Sequence, residues 1–159
     1  MSTDIRSFCE LFYADSHIPV SFYGPDKEQI FSISALEGNA FPVLVETVFL
    51  YYEKADTNPC FLSPGSQGFY GLIELPDHQG YLIMGPVFNI PVTNTIVHKH
   101  MIENMISHTS FDSTECFLAH IPLLSYRQFV TKVVFLYFCL TQKKVPVSDY
   151  LEASSTDDL

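Results

Sequence analysis

The stretch Gly68 to Phe88, GFYGLIELPDHQGYLIMGPVF, constrains this chain more than any other. Two apolar runs flank the turn-forming sequence Pro76-Asp77-His78-Gln79-Gly80. Phe69, Tyr70, Leu72, Ile73 and Leu75 precede the turn; Tyr81, Leu82, Ile83, Met84, Val87 and Phe88 follow it. Aromatic and β-branched runs separated by Pro, Asp and Gly define a β-hairpin, because Gly supplies the positive φ that tight turns need. Both strands are apolar on both faces, so helices are expected to cover each side of the sheet they belong to.

Other elements follow from periodicity. Residues 3 to 14, TDIRSFCELFYA, place Ile5, Phe8, Cys9, Leu11 and Phe12 at helical spacing behind a polar start. His17 to Tyr23 and Gln29 to Ser34 read as two strands of a first hairpin around Gly24-Pro25-Asp26-Lys27. Phe41 to Lys54 is rich in β-branched residues, but its length and the proline near its start favour a helix. Ala55 to Gln67, with two prolines and a glycine, reads as a loop. Thr95 to His108 has one apolar side, and Asp112 to Ala119 reads as a short helix capped by Asp112 or Ser113.

The last large element is a helix from Ser125 to Lys144, with Ser125 as its cap and Lys143 and Lys144 at its negative end. Phe129, Val133, Leu136 and Leu140 form one stripe, and Val130, Val134, Tyr137 and Phe138 widen it nearly all the way round. A helix this apolar cannot keep one face wet. Either it lies inside the core or Val130, Val134, Tyr137 and Phe138 meet their counterparts in a homodimer, with the N-terminal helix or the 95–108 segment as the covering alternative. The expected fold class is α+β, a small antiparallel sheet covered by helices with a long C-terminal helix, an architecture that PAS-like and GAF-like sensor modules share. Residues 1–150 are expected to form one domain, and 151–159 an acidic linker or disordered tail.

Composition narrows the function classes. Hydrophobic residues make up 47% of the 159, with 14 Phe and 9 Tyr, which places the chain among folded globules. Eighteen acidic against eight basic residues give a net charge of −10. Such a surface repels phosphate backbones, so no direct contact with nucleic acid is expected. No run reaches the roughly 18 apolar residues of a membrane span, and the N-terminus lacks the basic start and apolar centre of a signal peptide. Cys9, Cys60, Cys116 and Cys139 have no CxxC spacing, so four reduced thiols in the cytoplasm are expected.

Three segments together resemble the N-terminal sensory regions of bacterial AraC-type transcriptional regulators of the kind common in Firmicutes: HIPVSFYGPDKEQIFSI, GYLIMGPVF and FLAHIPLLSYRQFVTKVVFLYFCLTQKKVPVSDYL. The resemblance covers nearly the whole chain through diffuse motifs, a Gly-Pro after a strand and an Ile-Pro before a long helix. It implies a PAS/GAF-like domain that precedes a pair of helix-turn-helix motifs. Nothing in the chain has the length or basic charge of that DNA-binding part.

The residues offer little catalytic chemistry. GxSxG, GxxxxGK[ST], GxGxxG and HExxH are all absent. On a helix the spacing of His98 and His100 turns the two side chains about 200° apart, and no further ligand completes a set, so no metal site is expected. Cys9 and Cys139 fall in apolar helical stretches, whereas Cys60 follows Pro59 in the loop and is the thiol expected to be exposed. An enzyme using Cys60 or His98 would lack paired acid–base residues. The expectation is therefore a non-enzymatic regulatory sensor for a small-molecule effector, without a cofactor. Its pocket would be lined by Phe22, Tyr23, Tyr70, Leu72, Tyr81 and Ile83, although such aromatic clusters serve equally as core. The alternative is a ligand-free dimerisation or partner-docking module.

Overall fold

The computed structural model describes residues 4–34, 45–63, 68–91, 93, 95 and 121–151. Helix α1 (Ile5–Ser16) leads to strands β1 (Val20–Tyr23) and β2 (Gln29–Ile33), then helix α2 (Val45–Ala55). Strands β3 (Cys60–Leu62), β4 (Phe69–Glu74) and β5 (Tyr81–Val87) follow, and helix α3 (Tyr126–Thr141) comes last. The expected helices at 95–108, apart from Thr95, and at 112–119 lie outside the described residues, as do 152–159.

The five strands form one antiparallel sheet in the order β2-β1-β5-β4-β3. The expected α+β class is therefore observed. The doubly apolar hairpin, β4 and β5, lies inside the sheet between β1 and β3, and both of its faces are apolar because α1 and α3 cover one and α2 covers the other. Its turn closes through the Leu75 N–H, which donates to the Gly80 carbonyl at 2.8 Å, around a short 3-10 segment at Pro76–His78. The Ala55 to Gln67 stretch is not wholly loop: β3 sits within it, paired Cys60 to Leu72 and Leu62 to Tyr70. Three residues after a proline are too few to show a strand period.

Alternation along the strands divides the core into two layers. Val20, Phe22, Ile73, Leu82, Met84 and Phe61 face α1 and α3. Tyr23, Cys60, Leu62, Tyr70, Leu72 and Ile83 face the opposite way and pack with α2 through Val48 and Phe49. Each element is built to present that apolar side. In α1, the Asp4 carboxylate caps the start by accepting from the Ser7 N–H at 3.1 Å. His17, in the left-handed conformation at φ 59°, ends the helix and lets the chain reverse into β1. In α2, Val45, Val48, Phe49, Tyr52 and Ala55 recur at helical spacing and form its sheet-facing stripe.

Helix α3 begins with a full capping box: Ser125 Oγ accepts from the Gln128 N–H at 3.1 Å and Gln128 Oε1 accepts from the Ser125 N–H at 2.8 Å. Its Phe129, Val130, Val133, Val134, Leu136, Tyr137 and Leu140 are all buried within the chain. The assignment of Val130, Val134 and Tyr137 to a dimer surface is thus corrected, because these three belong to the intramolecular core beside α1 and the sheet. Phe138 alone of that set is exposed, at 42%. After α3 the chain stays on the core: Val145, Val147, Tyr150 and Leu151 pack against it, and Tyr126 Oη donates to the Tyr150 carbonyl at 3.0 Å.

Candidate functional site

The sheet face beneath α2 gathers five of the six residues expected to line a pocket. Tyr23, Tyr70, Leu72 and Ile83 are buried there and Tyr81 is half-buried. Tyr23 lies directly opposite Tyr81, and Leu72 opposite Ile83. Phe22 does not join them. As the neighbour of Tyr23 on a strand it points to the other face, where it stacks on Phe31 with centroids 5.4 Å apart.

Helix α2 holds the Tyr81 end of this face through edge-to-face rings. Phe49 meets Tyr81 at 5.2 Å, and Tyr52 meets Tyr81 at 6.3 Å. Tyr52 Oη donates to Glu74 Oε2 at 2.9 Å. Burial, and then this bond to a carboxylate, hold the Tyr52 phenol well above its ordinary pKa. Lys27 reaches over from the β1–β2 turn, with Nζ 2.6 Å from Glu53 Oε1 and 5.2 Å from the Phe49 ring. The Tyr81 end of the hydrophobic layer is therefore fixed by polar contacts.

Within that layer the Tyr23 hydroxyl is the exceptional group. Tyr23 is 3% exposed, and its Oη makes no hydrogen bond. Ser21, two residues earlier on the same face, opposes the upward pKa shift that burial imposes on Tyr23. The Ser21 Oγ is itself shared with Ser32 Oγ at 3.0 Å and makes no well-formed bond to the phenol. A buried hydroxyl without a partner costs free energy, and a ligand acceptor is one way to satisfy it. Sequence reasoning missed Ser21 and Ser32 at this place. Their signal was a serine in each strand of the first hairpin, at positions that pair directly.

Cys60, expected to be exposed, is 2% exposed in β3, and burial pushes its thiol up to about 12. That correction removes it as a nucleophile, because the thiolate is the reactive form. Cys9 is buried in α1 and likewise raised to about 12. Cys139 is the one described thiol that is only half-buried, while Cys116, His98 and His100 lie outside the described residues. Among the described residues, no three His, Cys, Asp or Glu side chains gather as a metal site would require. No described helix is long and apolar enough to cross a membrane.

Three concavities among the described residues lie away from Tyr23, Tyr70, Leu72 and Ile83, one of them a shallow hollow of about 400 Å³ along Gly24, Pro25, Asp26 and Gln29 at the β1–β2 turn. A polar hollow of about 280 Å³ at the β4–β5 turn is lined by Glu74, Asp77, His78 and Tyr81. An apolar groove of about 430 Å³ runs between α1 and α3 on the far side of the sheet from α2. No protein-family model, curated protein or solved structure matches the chain.

Proposed function

We propose that this chain is a regulatory sensor domain of a bacterial transcriptional regulator, acting in the cytoplasm and separate from the DNA-binding part. Its effector is an uncharged, largely apolar small molecule that carries a hydrogen-bond acceptor. It binds against the sheet face shared by Tyr23, Tyr70, Leu72, Tyr81 and Ile83, and shifts the helices packed around the sheet. The observation that supports this reading is the Tyr23 hydroxyl, buried without a hydrogen-bond partner on an aromatic face. A tyrosine phenol is protonated at neutral pH, and burial raises its pKa further, so it acts as a neutral donor or acceptor. Lys27, the cation nearest Phe49, is committed to Glu53, which favours an uncharged ligand over an anionic one. The resemblance of the sequence to AraC-type sensory regions points the same way.

Native mass spectrometry of the purified chain, followed by a thermal-shift screen of small aromatic and carbonyl compounds, tests the reading. A bound compound whose stabilisation is lost in Tyr23→Phe supports it. A compound that stabilises Tyr23→Phe equally well, or no compound that stabilises either protein, speaks against it. A ligand-free interaction module is the second reading, favoured by the exposed apolar side chains along the groove between α1 and α3.

A further inference from the structure

Beyond α3 the chain turns at Gln142, left-handed at φ 61°, and returns to the sheet. Gln142, Lys143 and Lys144 are exposed and have no regular structure. Gln142 Nε2 donates to the Cys139 carbonyl at 3.3 Å and the Lys143 N–H to Thr141 Oγ1 at 3.1 Å, so both bonds stay within the end of the helix. Val145, Val147, Tyr150 and Leu151 then pack half-buried on the core, and Val147–Tyr150 makes a 3-10 turn without a side-chain cap.

Tyr150 makes the specific contacts of this segment. Its carbonyl accepts from Tyr126 Oη at 3.0 Å, and its ring lies 5.2 Å from the ring of Phe61. Phe61 is the middle residue of β3, while Cys60 and Leu62 on either side of it point to the opposite face, into the α2 layer. β3 is a three-residue edge strand paired with β4. A strand this short has few ladder bonds to hold it, so packing on its two faces sets its position. We propose that residues 145–151 form a releasable strap, latched over β3 by Tyr150 and coupled through that strand to the packing of the α2 layer. The proposal stands whether or not the chain senses an effector.

The strap differs from the core it rests on in how it is held. Helix α3 buries Phe129, Val130, Val133 and Leu136 almost completely, whereas the strap's apolar side chains are only half-buried. Within the strap the Asp149 N–H donates to the Pro146 carbonyl at 3.2 Å, and no described strand pairs with it. Segments with few buried apolar contacts open at a lower free energy than the core. Release requires dihedral changes at 142–144 alone and breaks no helix or sheet bond, which makes that exposed stretch the hinge. Coupling follows from Phe61: a loss of packing at Leu62 moves β3 towards the α2 layer and draws Phe61 away from Tyr150.

Hydrogen exchange of the whole chain, read by mass spectrometry on peptides covering 145–151 and α3, tests the proposal. In the wild type the strap amides should be protected but exchange through an opening insensitive to low urea, while α3 amides show the full urea dependence of global unfolding. Tyr150→Ala removes the ring contact and Tyr126→Phe only the hydrogen bond. Each should speed strap exchange by about tenfold with the circular dichroism spectrum unchanged, and Tyr126→Phe suffices if Tyr150→Ala misfolds. Leu62→Val and Ile83→Val each trim one buried side chain of the α2 layer. Leu62→Val should speed strap exchange by about threefold, whereas Ile83→Val should speed α3 exchange and leave the strap's unchanged. Strap amides with the urea dependence of α3, or with no protection in the wild type, overturn the proposal. So do latch variants that leave strap exchange unchanged, or equal effects of Leu62→Val and Ile83→Val on the strap.

Discussion

Tyr23 and Phe49 meet edge to face, with ring centroids 5.7 Å apart and planes at 86°. The contact joins β1 to α2, and Phe49 makes the same kind of contact with Tyr81 on β5. One helical side chain therefore clamps two neighbouring strands. Each such ring pair contributes about 0.5–1.5 kcal/mol beyond the area it buries. The arrangement fixes the Tyr23 ring while its hydroxyl stays without a hydrogen bond, so geometry is secured by the rings and polarity is left available.

Replacing Tyr23 by Phe should therefore leave stability unchanged or raise it by up to about 1 kcal/mol, because the ring contact survives and an unsatisfied buried hydroxyl disappears. Urea denaturation followed by circular dichroism measures this. A loss of 1 kcal/mol or more would mean that the hydroxyl has a partner in the folded protein. Tyr52→Phe provides the contrast, since it deletes the bond to Glu74 Oε2 and should destabilise by about 1 kcal/mol.

Thiol chemistry should follow burial. In a Cys116→Ser background at pH 8, maleimide should modify Cys139 first, and Cys9 and Cys60 only as the protein unfolds. The pKa values of Cys9 and Cys60 are raised by burial to about 12 from about 9 when unfolded. Between those values the folded state holds protons that the unfolded state has released. Their contribution to stability is thus complete below about pH 9 and is lost as pH rises towards about 12. Denaturation midpoints measured across that window in wild type and Cys60→Ala should diverge, with the wild type falling more steeply. Parallel curves would show that the Cys60 thiol titrates normally.

Much of the fold was legible in the sequence because its strongest signals are local. The apolar hairpin, the first hairpin and the three described helices rest on periods of two or 3.6 and on Ser, Gly and Pro at their ends. β3 was not legible, since Cys60-Phe61-Leu62 becomes a strand only by pairing with Gly71 and its neighbours, a tertiary fact. For the candidate site, strand alternation alone would have separated Phe22 from Tyr23, as adjacent strand residues cannot share a face. The all-round apolar pattern of α3 did not reveal which side was free. Val134 and Phe135 are equally hydrophobic neighbours, and only the packing of α1 and the Val145–Leu151 segment buries one and leaves the other in water.

Gly80 should resist any side chain. Its φ of +131° is accessible to glycine almost alone, and a Cβ there would overlap the Tyr23 carbonyl oxygen. Gly80→Ala should cost at least about 2 kcal/mol and loosen the β4–β5 turn from β1. Gly71 has ordinary backbone geometry, and its Cβ would find Met84, Phe129 and Phe61 atoms at 3.5 Å, normal contact distance. Gly71→Ala should therefore change stability by less than about 1 kcal/mol. Thermal unfolding of the two variants compares them directly, and similar losses in both would contradict this account of the turn.

Asn58 acts as a missing strand residue. Its Nδ2 donates to the Glu74 carbonyl at 2.8 Å, and its Oδ1 accepts from the Glu74 N–H at 3.0 Å. The side-chain amide thereby completes the ladder at the end of β4, one step beyond where the backbone of β3 can pair. Asn58→Ala leaves both of these half-buried backbone groups without their partner and should cost about 1–3 kcal/mol. Asn58→Asp separates the two bonds. Its carboxylate still accepts from the Glu74 N–H but faces the Glu74 carbonyl with no proton to donate, so at neutral pH the loss should match or exceed that of Ala. Below about pH 4 the acid is protonated and can donate again, so Asn58→Asp should recover relative to Asn58→Ala. Paired urea titrations at pH 7 and pH 3.5 read the difference. If Asp equals wild type at pH 7, the bond to the carbonyl contributes nothing and the amide's role is only to accept.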